Sequence, residues 1–216
     1  MQKAIRFVAG SFSALADVIA SLNCPFITVE NGIVNIDGRI TMDGADGVTT
    51  KKDGTVVAVS QINWRGAGSY NVAQYVAASD NLFYVCIRGY YESRLELIYE
   101  KINGHSYYGL VSSSGFDRLS YQPLSAFPIY DVDDSVQYRH GSMLNYTCES
   151  GTLEYCGDYL FRVTSVNNIG GISGLEKAIP NPNLINCTNV SSCVMVTMNN
   201  KNYFSLGPNW LFPMES

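Results

Sequence analysis

Residues 82–113 read LFYVCIR, GYYES, RLELIYEKI, NG, HSYYGLVSS, and this stretch decides the fold. Leu82–Arg88, Arg94–Ile102 and His105–Ser112 are rich in β-branched and aromatic residues. Asn103-Gly104 separates the second run from the third. Both central residues of a type I′ turn need positive φ, so Asn-Gly between two such runs predicts a β-hairpin. In the middle run Leu95, Leu97 and Tyr99 alternate with Glu96, Ile98 and Glu100. That alternation predicts one apolar face and one wetter face that carries the acids.

The same signals recur on either side. Upstream, Phe26–Glu30, Ile33–Ile36 and Arg39–Met42 are joined by Asn31-Gly32 and Asp37-Gly38. Val48–Lys51 and Thr55–Ile62 flank Lys52-Asp53-Gly54. Ile5–Val8 is a short strand. Tyr70–Ala78 fits either a strand or a short helix. Downstream, Ile129–Val136 carries acids that fit water beside a strand end, and Gln137–His140, Met143–Cys148, Tyr159–Val163, Ser192–Met198 and Tyr203–Leu206 read as strands between Gly, Asn and Pro turns.

One segment has helical spacing. Ser11 or Ser13 can cap a helix running through Leu22, and Phe12, Leu15, Ile19 and Leu22 form its apolar stripe. Asn23 ends it and Pro25 bars continuation. The stripe either covers one end of a β core or docks on a neighbouring subunit. The fold class predicted is therefore mainly β: an antiparallel β-sandwich or barrel built from hairpins, with one short N-terminal helix. Residues 1–113 form the helix and meander, and 114–128, with two prolines, a crossover or linker. Residues 129–216 form a second β-rich part, in the same domain or another.

Composition bounds the function. The chain has 216 residues, of which charged residues are 15%, and it holds 15 tyrosines, so neutral polar groups and phenols cover much of its surface. Such groups are cheaper to desolvate than Lys or Glu, which favours large contacts between subunits. Net charge is −5 and the longest basic run is Lys51-Lys52, against sequence-independent nucleic-acid binding. No apolar run approaches the ~20 residues of a membrane helix, so no membrane partner is expected. The opening MQKAIRFVAGSFSALADVIA is interrupted by Arg6, Ser11, Ser13 and Asp17, makes a poor signal peptide, and is read as part of the fold.

No chemical motif rises above background. Cys24, Cys86, Cys148, Cys156, Cys187 and Cys193 contain no C-x-x-C, and only two histidines are present, so no zinc site is expected. Free buried thiols are expected, although Cys148/Cys156 and Cys187/Cys193 are spaced to bridge short hairpins. Asp43 and Asp46 among glycines, and Asp131, Asp133 and Asp134, lack the rest of a calcium-loop pattern. Trp64–Ser69 has two glycines but not the lysine of a phosphate loop. His105 sits beside a turn and His140 at a strand end, and neither lies in a catalytic motif. The sequence therefore predicts no enzyme, no cofactor and no metal site.

Two resemblances remain. Tyr159-Leu-Phe-Arg-Val163 with Asn167-Asn-Ile-Gly170 resembles the penultimate strand of fibronectin type III domains, whose tyrosine closes a corner onto the backbone. The tryptophan that family carries upstream is missing, and about forty residues follow where a short closing strand would. Most of the chain is similar in style to small structural proteins of tailed bacteriophages. The shared features are the short N-terminal helix, Gly-turned hairpins, low charge, abundant Asn, Ser and Tyr, and the aromatic C-terminus. That resemblance implies a neck, tail or baseplate subunit in the virion, assembled in the host cytoplasm. Its partners would be copies of itself and other proteins of the same particle. Candidate assembly contacts are Phe12, Leu15, Ile19, Leu22, Trp210, Leu211 and Phe212. The alternative is a carbohydrate- or receptor-binding β-sandwich module that stacks loop tyrosines and Trp64 on sugars.

Overall fold

A computed structural model describes residues 3–8, 11–44, 47–52, 55–60, 73–88, 94–113, 129–132, 137–140, 147–148, 151–152, 159–166, 172–180, 185–186, 195–207 and 210–214. These residues are mainly β-strand, in antiparallel sheets, with a single short helix. The chain divides into two compact units. Unit 1 is Met1–Tyr99 with Leu110–Ser120, and unit 2 is Glu100–Gly109 with Tyr121–Ser216. The division thus falls within the meander, while residues 114–128, expected as a crossover, lie outside the described residues.

Unit 1 starts with β1 (Lys3–Val8) and α1 (Phe12–Ser21). The Ser11 hydroxyl accepts a hydrogen bond from the Ala14 N–H, satisfying one of the amides that a helix start leaves unpaired. Leu22 caps the other end, and Asn23 leaves at φ 52°. Next come β2 (Ile27–Glu30), β3 (Ile33–Ile36), β4 (Ile40–Asp43), β5 (Gly47–Lys52) and β6 (Thr55–Ser60), an antiparallel sheet in sequence order. Its first two turns have positive φ at both central residues: 52° and 75° at Asn31-Gly32, 53° and 70° at Asp37-Gly38. β4 and β5 pair as far as Asp43↔Gly47.

In a nine-stranded sheet, unit 1 supplies the neighbours β1, β7 (Ala73–Ala78), β8 (Leu82–Arg88) and β9 (Arg94–Ile102), the last only as far as Tyr99. The ambiguity between strand and helix resolves as strand at Ala73–Ala78, while residues 70–72 lie outside the described residues. β1 pairs with β7 from Lys3↔Ala78 to Val8↔Ala73, so a sheet neighbour far away in sequence decides the local conformation.

Side chains from α1, β3 and β4 meet this meander in one core. Leu15, Ala16, Ile19, Val34, Ile36, Ile40 and Met42 are buried, as are all six residues from Leu82 to Ile87. Unit 1 is therefore sandwich-like, with a helix-and-hairpin layer on a meander layer. Named contacts tie the layers. The Phe26 and Tyr99 rings lie 5.6 Å apart between centroids. The Cys24 thiol donates to the Ser79 carbonyl at 3.4 Å.

The wetter face expected on β9 is corrected here. Ile98, Glu100 and Ile102 are buried alongside Leu95, Leu97 and Tyr99. Alternation marks an open face only when nothing covers it. An inner strand covered on both sides buries both sets of residues, an occasional carboxylate included.

Unit 2 contains the Asn103-Gly104 turn (φ 52° and 83°) and β10 (His105–Ser113), of which residues 110–113 count with unit 1. There follow β11 (Ile129–Asp131), β12 (Gln137–His140), β13 (Thr147–Cys148), β14 (Gly151–Thr152), β15 (Tyr159–Val166) and β16 (Ile172–Pro180). Pairing runs β10-β11-β12-β15-β16, while β13 and β14 pair with each other. A separate sheet orders β17 (Ile185–Asn186), β20 (Trp210–Met214), β19 (Lys201–Gly207) and β18 (Met195–Met198). Asn199 and Asn200, at φ 50° and 59°, turn β18 into β19. Thr197 Oγ1 donates to Asn202 Oδ1 across that hairpin at 2.9 Å.

Candidate functional site

The seven candidate contact residues belong to two different units. Phe12, Leu15, Ile19 and Leu22 sit on or at the end of α1 in unit 1, with exposures of 8%, 0%, 1% and 2%. The stripe faces the chain's own core, against β2 and β3, and a partner would not reach it without displacing the helix. Of the two arrangements weighed from the sequence, the helix covering a β core is the one formed.

Trp210, Leu211 and Phe212 open β20 in unit 2. Trp210 pairs with Asn186 on one side and Gly207 on the other, and Leu211 with Ile185 and Ser205. The backbone at these two positions is engaged on both sides, so neither offers a free edge to another chain. Strand alternation also puts positions 210 and 212 in one phase and 211 in the other, which separates three residues that look contiguous in sequence.

His105 is exposed at the start of β10. His140 ends β12 across from Leu160. Cys24 and Cys86 are buried; how the other four cysteines pair lies outside the described residues. So do Trp64–Ser69, Asp46, Asp133 and Asp134. Among the described residues no group of three or more His, Cys, Asp or Glu could hold a metal ion, and no helix is long and apolar enough to cross a membrane.

Two polar features escaped the sequence reading. Tyr99 Oη donates to Asp37 Oδ2 at 2.8 Å, across 62 positions of sequence. Asp37 also donates its N–H to the Phe26 carbonyl at 2.7 Å, so the Asp37-Gly38 turn is tied to both Phe26 and Tyr99. At the β7–β8 turn the buried Ser79 hydroxyl donates to Asn81 Oδ1 at 2.9 Å and accepts from the Asn81 N–H at 3.3 Å. Each of these two pairs holds a turn of unit 1.

Comparison with protein-family models, with curated proteins and with solved structures gives no match.

Proposed function

We propose that this chain is a structural subunit of a multi-subunit assembly, and that the assembly is a virus particle of the tailed-phage kind, with the chain in its neck, tail or baseplate. The observation that carries the reading is a charge-poor chain, 15% charged, folded into antiparallel sheets from hairpins. Neutral polar surfaces are cheap to bury against a partner, and the outer strand of a sheet presents backbone groups that a neighbouring chain can pair. With the α1 stripe committed to the chain's own core, contacts fall to strand edges, to loops and to the C-terminal residues Trp210, Leu211 and Phe212. The partners are other copies of the chain and other proteins of the particle. The chain has a scaffolding role and turns over no substrate.

The test is labelling. Antibody raised against the full chain is applied to particles released by the cells that make it, and the particles are viewed by negative-stain electron microscopy. Label repeated at one place on a tailed particle supports the reading. Protein found only in the particle-free fraction, together with specific binding to a glycan array, overturns it in favour of a carbohydrate-binding module.

A further inference from the structure

No further inference is drawn: the strongest candidate, the buried carboxyl group of Glu100 on β9, has beside it no second observation among the described residues that points to a ligand, a metal or a reaction.

Discussion

Tyr99 is fully buried, yet its hydroxyl meets an acid on the exposed rim of the hairpin layer. The ring fills the core against Phe26, and the oxygen fixes the Asp37-Gly38 turn. Tyr99→Phe keeps the ring and removes only the donor. A hydrogen bond to a carboxylate is worth more than a neutral one but is discounted where water competes, so the expected loss is about 1–2 kcal/mol. Urea denaturation checks it, and an unchanged midpoint would mean that the bond contributes nothing net. Asp37→Asn should cost less than Asp37→Ala. Asparagine still accepts a hydrogen bond and tolerates φ of 53°, and alanine does neither well. Gly104 offers a cleaner backbone test. An added Cβ would meet nothing within 4 Å, so Gly104→Ala isolates the strain of φ +83° at about 1 kcal/mol. Thermal unfolding of that variant should show a lower midpoint.

At the scale of elements, α1 is held by its cap and by its stripe. Ser11→Ala removes the side-chain acceptor for the Ala14 N–H and should cost about 1 kcal/mol, whereas Ser11→Asp should be close to neutral. Leu15→Ala empties a fully buried site and should cost about 2–5 kcal/mol. Ile33→Thr, at a side chain 43% exposed on β3, should stay within about 0.5 kcal/mol. Denaturant melts of the three variants check that ranking. If Leu15→Ala were as mild as Ile33→Thr, the stripe would not be core. These elements were legible because their causes are local. Ser11 caps, the stripe repeats at 3.6 residues, and Asn31-Gly32, Asp37-Gly38 and Asn103-Gly104 adopt the positive φ that their hairpins require. What escaped had distant causes. Ala73–Ala78 becomes a strand because β1 and β8 flank it, and Ala-rich sequence does not announce that. Glu100 is buried on the side of β9 where its own alternation suggests water.

At the scale of the whole molecule, sequence signals concern one chain and assembly concerns several. Leu15 and Trp210 look equally adhesive in the sequence. Burial removes the first from the surface, and two-sided pairing fixes the backbone of the second. No spacing of residues says which neutral edge meets a partner, so the candidate contacts were legible only as apolar segments. The α1 stripe is thus unsuited to a contact test, since truncating residues 1–22 would strip unit 1 of core side chains and of β1. Removing residues 210–216 would likewise take a strand from the middle of its sheet. An intact chain is the sound material, and sedimentation velocity over a wide range of protein concentration is the most direct measurement. A repeated subunit should populate a species several times the 23.7 kDa of the single chain, increasingly so as concentration rises. A single 23.7 kDa species at every concentration would contradict self-assembly as the chain's function.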